Sequence, residues 1–255
     1  MKILHFDLET KPILAWIWSL WTKFISIEQI EEDWMILCWA AKWHKDRHVM
    51  YAALWHEHDS DNEYINPENE YQILLKLWYL LDEADVVVAH NARKFDVKKF
   101  NAKCFEYGLT PPQPYKVVDT LETSKKSFGL TSHKLDYTAK LKGYGNKLDT
   151  KFDTWLEVIR GNKKTRQHML DYNIHDVELL ENIYIDMLPW MNRHPVPQGV
   201  KQCKCGSTEF RQSGTVSLTA GVYQTYRCKH CGSWYRDADN TLSKDERKAT
   251  LRNVL

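Results

Sequence analysis

The chain opens on an alternating pattern. In "KILHFDLET" the apolar Leu4, Phe6 and Leu8 share one face of an extended strand, and Ile3, His5, Asp7 and Glu9 share the other, because successive strand side chains point to opposite faces. Two apolar stretches rich in aromatics follow, "WMILCWAAKWH" (34–44) and "RHVMYAALW" (47–55). The polar "HKDR" between them predicts a hairpin that extends the first strand in antiparallel fashion. A polar, acidic loop over 58–70 precedes a helix near Tyr71–Asp82. "ADVVVAH" (84–90) is a short apolar run of the buried-strand type, followed by a helix at about Phe95–Tyr107. "KVVDT" (116–120) reads as another strand. Ser132 is placed to cap a helix carrying "KLDYTAKL". The last long helix, roughly Thr165–Met187, carries Met169, Ile174, Val177, Leu180, Ile183 and Met187, and Pro189 stops it.

These elements predict an α/β fold, a mixed sheet flanked by helices, over residues 1–191. "NRHPVPQGV" (192–200) has the Pro and Gly content of a linker, and residues 201–255 read as a separate small module. At 255 residues and 43% hydrophobic content the chain can hold both. Asp7 and Glu9 fall where a secretory leader needs an apolar core, and "ILAWIWSLW" (13–21) is too short to span a bilayer. A cytoplasmic location with no membrane partner is expected. The net charge of +1 conceals an uneven spread: residues 196–255 carry 10 Lys+Arg against 5 Asp+Glu, and Lys125–Arg166 carries 11 against 4. Such runs suit a phosphate backbone, or serve only as solvated faces. Trp16, Trp18 and Trp21 are read first as packing or partner-contact residues, with a stacking platform for single-stranded nucleic acid as the alternative.

The candidate chemistry lies in acids placed by these elements. Asp7 and Glu9 end the first strand on one face, Asp96 begins a helix after "VVVAH", and Asp176 lies on the last helix. Sites of α/β folds assemble at the carboxyl ends of strands. Four carboxylates gathered there would repel one another and demand cations, and hard oxygen ligands select Mg²⁺ or Mn²⁺. A pair of such ions supports phosphodiester cleavage. Each acid also has a plain reading: Asp96 as a helix cap, Asp7 and Glu9 as a solvent-facing edge, Asp176 paired with a Lys. In "DYNIHD" (171–176) residues four apart share a helix face, so Tyr172 projects with Asp176, while His175 is off that face and reads as a surface or packing residue.

Of six cysteines, Cys38 and Cys104 stand in apolar surroundings and read as core. The other four form "CKCG" (Cys203, Cys205) and "CKHCG" (Cys228, Cys231), the layout of a zinc ribbon holding one structural Zn²⁺. The first knuckle is C-x-C where ribbons usually have C-x-x-C, so His230 and His194 are possible substitute ligands. With so few apolar residues, the module is expected to need its metal to fold. Its basic residues and Trp234 suit either nucleic-acid contact or the bracing of a neighbouring domain.

"FDLET", "AHNARKFD" and "YNIHDVELL", in this order and spacing, resemble the three exonuclease motifs of the DEDD superfamily, the DnaQ-like 3′→5′ exonucleases of ribonuclease-H-like fold. The likeness runs from residue 1 to about 190 and includes "VVDTL" (117–121) and "SHKLDYTAKL" (132–141). It is strongest to small phage-type exonucleases that carry a C-terminal zinc ribbon, and it places the chain in the Tyr-type subgroup. The resemblance implies that Asp7 bridges two Mg²⁺ or Mn²⁺ ions, that Glu9 and Asp176 complete the first site, and that Asp96 holds the second through water. It implies that Tyr172 orients the attacking water, and that Thr10, the Leu8 backbone, Asn91 and Phe95 hold the terminal nucleotide. The substrate would be nucleic acid with a free 3′ end, DNA rather than RNA. A silent nucleic-acid-binding protein is the rival reading, and a proofreading or processing subunit with a polymerase or repair partner is a third.

Overall fold

The computed structural model describes residues 1–55, 68–145, 148, 150–219 and 221–251, which divide into two compact units, Met1–Tyr184 and Ile185–Leu255. The first unit begins with β1 (Ile3–Thr10), a small excursion of β2 (Leu14–Ala15) paired with β3 (Ile30–Glu32), and the hairpin strands β4 (Ile36–Trp43) and β5 (Met50–Ala53). Then come α1 (Glu68–Glu83), β6 (Val86–Ala89), α2 (Asp96–Glu106), β7 (Lys116–Asp119), α3 (Thr120–Ser127), α4 (Leu135–Lys142), α5 (Phe152–Ile159) and the long α6 (Lys163–Met187). The main sheet runs β5-β4-β1-β6-β7. Its β5, β4 and β1 are antiparallel neighbours, whereas β1, β6 and β7 run parallel. This is the mixed sheet with flanking helices that the pattern predicts. Because β1, β6 and β7 are parallel, their carboxyl ends share one edge, where Asp7, Glu9, Asp96 and Asp119 fall.

Every residue of β6 is buried, as expected of a strand covered on both faces. In β1 Leu4, Phe6 and Leu8 enter the core as the alternation requires, but His5 on the other face is fully buried as well, and that face becomes partly accessible at Asp7 and Glu9. The core continues through Leu37, Leu74, Leu77, Leu81, Phe100 and the lone thiols Cys38 and Cys104. Burying each large apolar side chain contributes about 1.5–3 kcal/mol.

Several local expectations change. Lys134, not Ser132, is the N-cap of α4, and Ser132 Oγ instead accepts from Lys134 N–H at 3.3 Å. The expected acidic loop lies outside the described residues up to position 67, and residues 68–70 already begin α1. Pro189 does end the α-helix: a 3₁₀ turn, Leu188–Trp190, follows Met187. Trp16, Trp18 and Trp21 are 71, 99 and 93% exposed. They are not core residues, because the excursion that carries them pairs only with itself and no layer covers it among the described residues.

A polar cluster sits behind the acid edge. His5 Nε2 lies 3.2 Å from His44 Nδ1, which lies 3.1 Å from Glu181 Oε1, and Lys42 Nζ and the Lys45 N–H also reach Glu181. Burial lowers His5 to about 3. Burial opposes the charge of Glu181, but His44, Lys42 and the Lys45 N–H outweigh it and hold the carboxyl at about 2. Native His5 therefore stays neutral where the unfolded chain takes up a proton, so stability falls with pH from about 6.5 to about 3. Glu181 adds a loss in the same direction from about 4.5 to about 2. Urea unfolding across this range should show the acid slope in the native chain and a flatter one in His5→Asn; equal slopes would exclude His5 as the source.

The second unit contains the end of α6, an antiparallel sheet of β8 (Phe210–Leu218), β9 (Gly221–Cys228) and β10 (Trp234–Asn240), and the short α7 (Lys244–Ala249).

Candidate active site and metal centres

Strand alternation and helix periodicity bring the acids together from elements far apart in the chain. Asp7 and Glu9, two apart on β1, and Asp176, on the inner face of α6, each offer a carboxylate oxygen, and these oxygens lie within 4.8 Å of one another. Asp96 is outside that group but beside it. It is the first residue of α2, Phe95 being the N-cap, so the cap reading of Asp96 is not what the structure has. Its Oδ1 accepts from the Leu8 N–H at 3.3 Å, and its Oδ2 is buried with no hydrogen-bond partner among the described residues. Burial, then the charge of Asp7, pushes the Asp96 carboxyl well above the usual carboxylate range. Burial together with Glu9 and Asp7 does the same to the Cys38 thiol, which stands opposite Glu9 on β4. The arrangement gathers four acidic side chains at one edge of the sheet. Hard oxygen donors with a buried, unsatisfied carboxylate oxygen suit Mg²⁺ or Mn²⁺.

The helix face adds two residues. Tyr172, one turn before Asp176, is buried. Asn173, fully buried three residues before Asp176, donates from Nδ2 to Asp7 Oδ2 at 2.7 Å and ties α6 to β1. The sequence pattern does not single out Asn173, although its i, i+3 relation to Asp176 is a usable signal. His175 lies off this face, 3.8 Å from Glu178. Asp171 is exposed and accepts from Gln167 at 2.8 Å.

Of the expected nucleotide contacts, Thr10 is half-buried at the end of β1, and Leu8 is buried with its N–H directed to Asp96. Asn91 and Phe95 are half-buried in the loop after β6. That loop is held by Asp119, also unforeseen, which caps α3 at the N–H groups of Leu121 and Glu122 and accepts from the N–H of Asn91 at 3.0 Å and Arg93 at 3.2 Å. Asn91 has φ of +76°, the left-handed conformation that Asn tolerates better than most residues. Within the basic run, Arg166 is turned inward, donating to the Val158 carbonyl at 3.1 Å, so its charge does not face solvent.

In the second unit Cys203, Cys205, Cys228 and Cys231 form one group, with Sγ–Sγ separations of 3.5 Å (203–231) and 3.8 Å (205–228). A Zn–S bond of about 2.3 Å gives a tetrahedral edge of about 3.8 Å, so the four sulfurs suit zinc. Neither His230 nor His194 belongs to this group. Both knuckles turn through a left-handed glycine, Gly206 at φ +90° and Gly232 at φ +80°, so the C-x-C spacing is absorbed in the backbone. Burial raises the Cys203 and Cys205 thiols. At Cys228 burial also raises, but N–H groups at Cys231 and His230 and the neighbouring thiols bring it down to about 7.

No protein-family description and no curated protein matches the chain. Its fold is similar to that of the family B DNA polymerase from the hyperthermophilic archaeon Pyrobaculum calidifontis, with a TM-score of 0.50 and 16% identity. The match covers 74% of this chain and 24% of the polymerase, so the chain spans about a quarter of that protein's length. At this identity the likeness concerns the fold alone. Among the described residues no helix is long and apolar enough to cross a membrane.

Proposed function

We propose that the chain is a metal-dependent 3′→5′ exonuclease of the Tyr-type DEDD class, hydrolysing DNA in preference to RNA and releasing nucleoside 5′-monophosphates. The observation that carries this reading is the convergence of Asp7, Glu9 and Asp176 within 4.8 Å, beside the buried Asp96. The motif resemblance and the fold likeness to a family B DNA polymerase support it. Catalysis belongs to residues 1–191, with 192–200 as linker and 201–255 as the ribbon. Two Mg²⁺ or Mn²⁺ ions, when bound, supply activation of the attacking water and stabilisation of the leaving oxygen.

The protein's own residues do the rest. Asp7 stands in the group of Glu9 and Asp176 and also acts on Asp96, so it is the carboxylate that two sites would share. Asn173 holds the orientation of Asp7 by its 2.7 Å hydrogen bond. Tyr172, on the same helix face as Asp176, positions the water, and its contribution is geometric. Thr10, the Leu8 backbone, Asn91 and Phe95 receive the terminal nucleotide, with the half-exposed Phe95 ring offering a base a stacking surface without sequence preference.

The test is hydrolysis of matched, 5′-labelled DNA and RNA oligonucleotides with Mg²⁺, Mn²⁺ or EDTA. A metal-dependent ladder shortening from the 3′ end, stronger on DNA, is expected. Intact substrate under every condition, from folded and zinc-loaded protein, would replace this reading with that of a binding protein. Tyr172→Phe should lower kcat by about 10- to 100-fold with little change in KM, the signature of misplaced water and not of weakened substrate binding. An unchanged kcat would remove Tyr172 from the machinery. The uncovered Trp16, Trp18 and Trp21 favour a second reading, a subunit that docks on a polymerase assembly, which co-purification would detect.

A further inference from the structure

The ribbon's three-stranded sheet gathers positive charge on one face. Arg211 on β8 stands directly opposite Arg227 on β9, and Arg227 directly opposite Trp234 on β10. Residues directly opposite one another in antiparallel strands point to the same face, so the three form one row across the sheet. All three are exposed, Trp234 by 57%. The Arg227 guanidinium lies 5.8 Å from the centre of the Trp234 ring and packs beside the knuckle turn at Gly232. Arg236, two residues along β10, continues the same face and sits over the buried Tyr223 ring at 4.2 Å. Asp237 belongs to the opposite face, where it accepts from the Tyr226 hydroxyl at 2.8 Å.

Like charges set directly across a sheet are destabilising. Here no carboxylate lies within ion-pair distance of Arg211 or Arg227 among the described residues, and the nearby Glu209 is 3.9 Å from Lys229. Among the described residues, what offsets that repulsion within the row is the contact of Arg227 with the Trp234 ring. Arg211 and Arg227 line an open pocket of about 600 Å³ together with Lys229, His230 and the knuckle residues Cys228, Cys231 and Gly232. Two adjacent guanidiniums present paired N–H donors suited to a phosphate, and an exposed indole beside them presents a face suited to a base.

We infer that this face is a docking site for single-stranded nucleic acid, with Arg211 and Arg227 on backbone phosphate and Trp234 stacked on a neighbouring base. The inference concerns binding by the second unit and stands whether or not the first unit hydrolyses its substrate. The ligand is a polynucleotide rather than an acidic protein, because a polyanion without bases has no use for the indole.

The experiment uses the full, zinc-loaded chain carrying Asp7→Asn, so that the probe survives. Binding of a 5′-fluorescent single-stranded oligothymidylate is followed by anisotropy across a KCl series without divalent ions. Arg211→Gln with Arg227→Gln should weaken binding at least tenfold and reduce the log–log salt slope by about 1.4, at ~0.7 for each phosphate no longer neutralised. Trp234→Ala should weaken it about 5- to 100-fold with the slope unchanged, since stacking releases no counterions. Arg211→Lys with Arg227→Lys should keep the slope, which separates the effect of charge from that of a damaged fold, and zinc content should be equal throughout. Parent-like affinity and slope in the double Gln variant would overturn the proposal. So would equal competition by polyglutamate and oligonucleotide, since that would mean a site that reads charge alone.

Discussion

Asp7→Asn is expected to leave a folded protein without the hydrolytic activity proposed for the parent. Asp7 is the carboxylate common to the Glu9 and Asp176 group and to Asp96, so its removal weakens both proposed ion sites at once. Several kcal/mol of transition-state stabilisation rest on such ions. At about 1.4 kcal/mol per tenfold, activity should fall by at least about 10³-fold. Stability should move the other way. In the metal-free protein the charge of Asp7 disfavours ionisation of the buried Asp96, and an amide at position 7 relieves that repulsion while keeping an oxygen for Asn173 Nδ2. Thermal unfolding in EDTA should therefore give a melting temperature no lower than the parent's, while the Mg²⁺- or Mn²⁺-induced rise expected of the parent is abolished. A variant that both melts lower and retains hydrolysis would assign Asp7 a structural role and sink the site.

The second large effect concerns the ribbon. From residue 201 on, the buried apolar side chains among the described residues are Cys203, Cys205, Tyr223 and Cys228. Three of these four are thiols of the proposed metal group, so from residue 201 on there is almost no hydrophobic core apart from it; the other buried apolar residues of the second unit, Met187, Leu188 and Met191, precede this stretch. Structural zinc contributes about 10–16 kcal/mol in small domains of this kind, as much as or more than the ~5–15 kcal/mol that holds a whole domain folded. The chain as purified should carry one tightly held zinc per molecule. Removing it by chelation, or replacing Cys205 by Ser, should make β8–β10 rapidly cleavable by protease while the first unit stays resistant. The read-outs are metal analysis, thiol titration and mass mapping of the cleavage sites. A zinc-free chain with the same cleavage pattern would show that the four thiols are held together by something else.

Parts of the site were legible because they obey short-range periodicities. Alternation along β1 put Asp7 and Glu9 on one face, and the four-residue repeat of α6 put Tyr172 with Asp176 and His175 elsewhere. The all-apolar "VVVA" marked a strand buried on both faces. The cysteine spacing marked the ribbon even with its shortened first knuckle. Other parts were not legible. Helices α3 and α5 do not stand out in the pattern, the first because its start depends on Asp119, a residue whose carboxylate also ties down the loop after β6. Strands β8 and β10 lack apolar alternation, since their sheet is only partly buried on either face. Asn173 was not singled out, because its i, i+3 relation to Asp176 is ordinary on a helix until its partner, 166 positions away in the chain, is known.

Alone, the sequence determined which residue types sit at which register: acids at the end of a strand, a tyrosine and an acid one helical turn apart, two cysteine knuckles, and the order of the main strands and helices of the first unit. These follow from periods of two and 3.6 residues and from turn chemistry, all local properties of the chain. Only the tertiary structure decided that Asp96 is a buried acid and not a cap, that His5 is enclosed with His44 and Glu181, that the three tryptophans face outward, and that Arg211, Arg227 and Trp234 form one row. Those outcomes depend on which elements meet across the fold and which surfaces no layer covers, and a pattern repeating every few residues carries no record of either.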